Sequence, residues 1–270
     1  MALAYGFSWA FWLPLVAADR GVGSVPWTSH VPGLVGPMLA ALVVTAVTDG
    51  GAGPARLLRS CVRLPSGRWL AAALSPLALL ILAVLTTRPF DDGFRWSDLG
   101  RFDGLPSAAG PLGVLALLIV VNGVGEEAGW RGFLQPALQH DRPVKTATLT
   151  VTAIWALWHT PLFLLDTGLG TMPLAMIPVW LVGLTAGAVV LAWLHNHTGS
   201  VLAAALWHGT YNWAAATEAA EPAVGALVTA GVIAGALVLV RRDPTLGSRD
   251  RHDARAGTRD SRSGAHDRRP

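Results

Sequence analysis

Residues 111–131 read PLGVLALLIVVNGVGEEAGWR. Fourteen residues from Pro111 to Val124 carry no charge, and Glu126, Glu127 and Arg131 follow within two helical turns. The apolar run has the character of a membrane span. Ionisable groups at that depth cost roughly 2.5–3.5 kcal/mol each on the insertion scale, so their presence inside a span marks a functional site unless packing explains them. On a helix Glu127 and Arg131 are four apart and share a face, while Glu126 lies about 100° round. The pattern therefore predicts one carboxylate held by Arg131 and the other turned into the bundle. A structural ion pair at a helix end is the plainer alternative.

The rest of the chain agrees with a membrane setting. Of 270 residues, 52% are hydrophobic and 14% charged, against about 25% charged in a soluble domain. Twelve Trp stand beside seven Phe and two Tyr. The net charge of +3 comes from the end of the chain. Residues 241–270 hold nine Arg and five Asp, and the other 240 residues are net −1. A nucleic-acid partner is thus not indicated. The lone cysteine, Cys61, excludes an intrachain disulfide.

A span needs about 20 apolar residues. Hydropathy predicts an all-α polytopic bundle with eight spans, near 1–18, 32–48, 69–87, 111–125 with a continuation, 146–165, 173–194, 200–217 and 222–240. The membrane domain then runs over 1–241, with a protease-like core near 108–215. Residues 242–270 are Arg, Asp, Ser, Gly and Ala, and are expected to be a disordered cytoplasmic tail. Arg56, Arg59, Arg63 and Arg68 put the second connection in the cytoplasm, and alternation then places both termini there, in the cell membrane. Asp19 and Arg20, the mixed third connection with Asp91 and Asp92, and Glu218 and Glu221 fall outside; Arg142 and Lys145 fall inside. The second connection also reads as an amphipathic interface segment, with Leu57, Leu58, Cys61, Val62 and Leu64 among the arginines. The stretch Val31–Leu42 carries Gly33, Gly36 and Pro37, which fits close helix packing.

Two further spans carry polar residues in their interiors. The fifth contains Trp155-Ala156-Leu157-Trp158-His159, and the seventh contains His208 and Asn212 one turn apart. Each alone has a bland reading, a satisfied core histidine or an asparagine bridging helices. Together with Glu126, Glu127 and Arg131 they make a set on three spans. His159 and His208 lie near their span centres. A shared site therefore favours a long fourth helix, from about 111 to 137, with Glu126 in its middle. His30, His140, His195 and His197 read as loop or turn residues.

E-E-x-x-x-R at Glu126–Arg131, aromatic-x-x-x-H at Trp155–His159 and H-x-x-x-N at His208–Asn212, in that order, resemble the CPBP family of intramembrane proteases. That family includes the type II CAAX prenyl endopeptidases and the bacteriocin-processing Abi relatives. Gly36–Ala41 is similar to an early helix of the family, and the resemblance covers about 31–215. Its second motif usually opens with Phe, where Trp155 stands here. The resemblance implies a membrane-embedded endopeptidase acting on a membrane-associated peptide or protein. Glu126 would be the general base on water, with Glu127 and Arg131 completing and orienting the motif. His159 and His208 would line the site, and Asn212 would stabilise the oxyanion.

The chemistry suits those residue types. A carboxylate shielded from bulk water binds its proton more tightly and serves as a base near neutral pH. An amide or imidazole N–H can hold an oxyanion. The family is classed with metalloproteases, and Glu126, His159 and His208 could alternatively supply three ligands of an open Zn2+ site. No H-E-x-x-H is present. Two other functions compete: a non-enzymatic immunity or scaffold protein using these residues for packing, and a transporter using the Glu/His cluster. A transporter should show discontinuous helices in two corresponding halves, and no internal repeat is evident.

Overall fold

The computed structural model describes residues 1–18, 21–90, 93–220 and 223–246. Asp19, Arg20, Asp91, Asp92 and Glu221, which entered the orientation reading, and residues 247–270 of the expected tail lie outside the described residues. Among the described residues the chain is entirely helical, with no strand. The principal helices are α1 (Ala2–Ala17), α2 (Gly36–Asp49), α3 (Ala52–Cys61), α4 (Gly67–Ala73), α5 (Ser75–Thr87), α6 (Ser107–Gln139), α7 (Val144–Trp158), α8 (Ile177–Thr198), α9 (Val201–Ala215) and α10 (Ala223–Arg242).

The expected count of eight spans is not confirmed. Among the described residues five helical segments are long and apolar enough to cross a membrane, or six when α4 and α5 count as one span bent by 48°. The bend falls at Leu74–Pro76, where Pro76 lacks an N–H and its ring crowds the preceding turn. The two remaining segments are short. Helix α9 has 15 residues, which at about 1.5 Å rise per residue reach about 22 Å of a hydrocarbon core about 30 Å thick. Helix α1 has 16.

Helix α9 is also enclosed by other helices. It packs along Leu118–Val124 of α6 and against α5, α8 and α10. Ala203, Ala204, Trp207, His208 and Thr210 are all buried. The approach to α6 is close: a Cβ on Gly209 would fall 2.7 Å from the Ile119 Cα. On another side of α6, a Cβ on Gly129 would fall 2.5 Å from the Pro37 carbonyl carbon of α2. The long fourth helix is present as one 33-residue segment, Ser107–Gln139. It is therefore gripped between α2 and α9, and the glycines are what allow the contact.

Tryptophans tie the elements together through their indole N–H groups, which need partners in a dry interior. Trp9 donates to the Trp158 carbonyl at 3.1 Å, Trp12 to the His30 carbonyl at 2.7 Å, Trp158 to Ser8 Oγ at 2.8 Å and Trp213 to the Leu99 carbonyl at 3.0 Å. Helix α1 is thereby fixed to the end of α7. Outward faces carry Leu82, Leu85, Leu112, Leu149, Leu157 and Val182, all exposed, as the lipid-facing side of a multi-pass bundle requires.

Several polar residues depart from their sequence reading. His30 is buried rather than a solvated loop residue. His197 lies in the last turn of α8, 3.3 Å from Asp243, with its ring 4.9 and 5.5 Å from those of Trp69 and Trp193. Asp243 also accepts from Trp193 Nε1 at 2.8 Å, and Leu246 is buried. The first residues past Arg242 therefore pack on the bundle, where composition alone suggested disorder. In the second connection α3 buries Leu57 and Cys61 and leaves Leu58, Val62 and Leu64 exposed. Arg56 there pairs with Asp49.

Candidate active site

The Glu126–Glu127 turn interrupts two stretches of looser helix. Leu118–Val124 and Trp130–Leu134 are π-helical, and Gly125–Gly129 between them is α-helical. Such π-turns widen the helix locally and recur at functional sites. Here they flank the acidic pair on both sides.

Both carboxylates are inside the protein. Glu126 is 2% exposed, and Glu127 and Arg131 are 0%. Their partners differ. Arg131 Nη1 lies 3.1 Å from Glu127 Oε1 and 3.0 Å from Oε2. His208 Nδ1 lies 2.8 Å from Glu127 Oε1. Glu127 thus joins α6 to α9 through a charged contact and a histidine. Glu126 instead accepts one hydrogen bond, from Trp155 Nε1 to Oε2 at 2.7 Å. The Trp155 ring also lies beneath the Arg131 guanidinium, 4.8 Å from ring centre to Cζ, in cation–π geometry. One tryptophan from α7 therefore touches both halves of the first motif.

His159 stands where α7 ends and a 3-10 turn, Thr160–Leu164, begins. Its Nδ1 lies 2.7 Å from the Trp155 carbonyl oxygen. A carbonyl only accepts, so Nδ1 carries the hydrogen and Nε2 of the neutral ring carries the lone pair. The ring lies among Trp155, Trp158 and Trp180, at centroid distances of 5.6, 5.0 and 5.5 Å. The same logic applies to His208: its Nδ1 donates to Glu127, and its second nitrogen is left for other work. The His208 ring is 5.5 Å from that of Trp155. Trp155 is thus the common neighbour of Glu126, Arg131, His159 and His208. Asn212 is one turn beyond His208 on α9 and half-buried. Among the described residues its side chain makes no hydrogen bond to the other five.

Sequence reasoning took Trp155 as an aromatic wall and missed its hydrogen bond. The signal was present in the tryptophan itself, whose buried indole N–H needs a partner. Also missed was the buried pair Gln135 Nε2 to Thr148 Oγ1, 2.9 Å, one turn past Arg131.

A metal reading rests on the donor set. A carboxylate and two imidazoles are ordinary zinc ligands. Among the described residues, however, no three His, Cys, Asp or Glu side chains are gathered as a metal site requires. Glu126 Oε2 is taken up by an indole N–H. Glu126, His159 and His208 remain the residues that would hold such an ion, and no chemical step is derived through it.

No curated protein matches this chain. Residues 108–214 match the family model described as type II CAAX prenyl endopeptidase Rce1-like. That stretch contains Glu126, Glu127, Arg131, Trp155, His159, His208 and Asn212. Over this stretch the chain is similar to that family, and the stretch lies in a helical chain with several segments long and apolar enough to cross a membrane.

Proposed function

We propose that this protein hydrolyses a peptide bond of a membrane-associated substrate with a water activated by Glu126. The observation that carries the reading is the unequal treatment of two adjacent buried carboxylates. Glu127 is committed to Arg131 and His208, whereas Glu126 is held by a single neutral donor on one oxygen. A charge-neutralised carboxylate is a poor base, and one anchored by an indole keeps its second oxygen for water.

The sequence of bond changes follows. Glu126 takes a proton from water as the water oxygen attacks the peptide carbonyl carbon. His159, with Nδ1 tied to the Trp155 carbonyl, offers Nε2 as an acceptor that orients that water. The carbonyl oxygen becomes an oxyanion. The donors for it are the Asn212 amide and, when the ring carries both protons, His208 Nε2. The tetrahedral adduct collapses by breaking the C–N bond, and the proton on Glu126 passes to the leaving amine. Glu127 and Arg131 touch neither reacting atom; they hold His208 and the α6 turn in place.

The test compares membrane peptides from cells carrying wild-type protein with those carrying Glu126→Ala, His159→Ala or His208→Ala. A substrate cleaved only by wild type is expected, with all three variants accumulating normally in the membrane. Loss of an oxyanion donor alone should cost about 10²–10³ in kcat. Wild-type cleavage by all three variants would refute the reading.

A further inference from the structure

A hydrolase whose base is buried inside a helical bundle must receive water, and a second feature of α6 bears on how. Glu127, Arg131, Gln135 and Gln139 recur at every fourth residue and so form one stripe along the helix. The stripe faces α7, since Gln135 Nε2 donates to Thr148 Oγ1 and Arg131 stacks on Trp155. Thr152 lies between those two contacts on α7 and is buried, as are Thr148, Gln135 and Arg131.

This seam is polar but incompletely paired by protein. Arg131 Nε, Arg131 Nη2, Gln135 Oε1 and Gln139 Nε2 are buried without a hydrogen-bond partner among the described residues. Thr148 and Thr152 give their hydroxyl hydrogens to the backbone carbonyls of Val144 and Thr148, at 2.8 and 2.9 Å, so Thr148 Oγ1 accepts from Gln135 Nε2 with a lone pair to spare and Thr152 Oγ1 is left as an acceptor. Donors and acceptors thus alternate along the seam, about 6 Å apart per turn of four residues, a spacing that one water molecule bridges with two hydrogen bonds. Buried groups of this kind in native proteins are satisfied by ordered water when protein does not satisfy them. The stripe ends at Gln139, beside the exposed His140 and Asp141, on the side where Arg142 and Lys145 mark the aqueous face.

We infer that the seam between α6 and α7 is a water file, running about 18 Å from Gln139 to Glu127 and delivering water to the carboxylates separately from the substrate's own entry. The supply role rests on the hydrolase reading; the hydration does not. Thr148→Val and Gln135→Met replace polar atoms with apolar ones of similar size.

The test is hydroxyl-radical labelling of the full-length protein in lipid nanodiscs, with radicals generated from water in place. Wild type should label buried Trp130 and Leu134 beside the seam more than lipid-facing Leu149 and Leu157. Each substitution should reduce that labelling several-fold, and Thr148→Ser should restore it. On a peptide identified as above, the same variants should lower kcat on the order of tenfold, about 1.4 kcal/mol, with KM unchanged. Seam labelling no higher than at the lipid face, or labelling that neither substitution alters, overturns the water file even if peptidase activity is present. Normal labelling in a wild-type protein that cleaves no peptide removes the hydrolase reading and leaves the file standing. Loss of labelling with unchanged kcat removes the supply role. Should Gln135→Met fail to accumulate, Thr148→Val and its Thr148→Ser rescue decide the matter alone.

Discussion

Replacing Trp155 with Phe removes one hydrogen-bond donor and keeps an aromatic ring under Arg131. The indole donates to Glu126 Oε2 at 2.7 Å in a site where Glu126 is 2% exposed. A hydrogen bond to a charged group contributes about 1.5–3 kcal/mol. Trp155→Phe also shrinks a buried ring, which costs packing in any background. A double-mutant cycle with Glu126→Leu removes that common part. The expected coupling between positions 155 and 126 is about 1.5–3 kcal/mol, read from denaturant unfolding of the protein in detergent. Phe keeps an aromatic ring of similar shape at this position, so the fold should accept it. In the kinetic arm, a Glu126 side chain free to rotate off the water should lower kcat on the order of tenfold and leave KM unchanged, because nothing that binds substrate is removed. Coupling within about 0.5 kcal/mol of zero, the usual limit for independent sites, would refute the claim that this hydrogen bond positions Glu126.

Arg131→Met leaves Glu127 buried beside His208 without its cation and should cost about 3–5 kcal/mol of stability; adding Glu127→Gln should recover much of that, and strictly additive losses in thermal unfolding would contradict the pairing. Gly129→Ala puts a methyl group 2.5 Å from the Pro37 carbonyl carbon, a backbone atom that cannot swing aside, so a loss of about 1–3 kcal/mol is expected. Gly6→Ala, with nothing within 4 Å, is the control and should be neutral or stabilising. Because no three ligating side chains are gathered among the described residues, cleavage should survive exhaustive chelation, with elemental analysis reporting no stoichiometric zinc; activity lost on chelation and restored by zinc would overturn the metal-free form of the mechanism.

What could be read from sequence was whatever depends on local pattern. The apolar run before Glu126 implied a span, and the need to bring Glu126 level with His159 and His208 implied that the helix continues past 125, as it does to Gln139. The three motifs were legible because each is a four-residue spacing on one helix. The span at α9 is not confirmed, and hydropathy reports only that residues avoid water. It does not distinguish a helix facing lipid from one enclosed by other helices, and Ala203–Ala205 on α9 are enclosed. It also ran through Leu74–Pro76, where the chain bends. The π-turns around Glu126 leave no residue signature. The contact between Trp155 and Glu126 depends on how α7 is rotated against α6, which no spacing within either helix determines.

The two acidic residues illustrate how neighbours divide a function between chemically identical groups. A buried carboxylate needs some compensation, and the kind of compensation decides what it can do. A guanidinium and an imidazole beside Glu127 stabilise its charge at a fixed place, which suits a residue that locks α6 to α9. An indole beside Glu126 supplies a hydrogen bond without a positive charge, so proton uptake there need not break an ion pair. Placing a cation at position 155 would give Glu126 the same compensation as Glu127. The neutrality of the tryptophan is therefore as important to the proposed chemistry as its N–H, and that is why the same side chain can stack on Arg131 while holding the base.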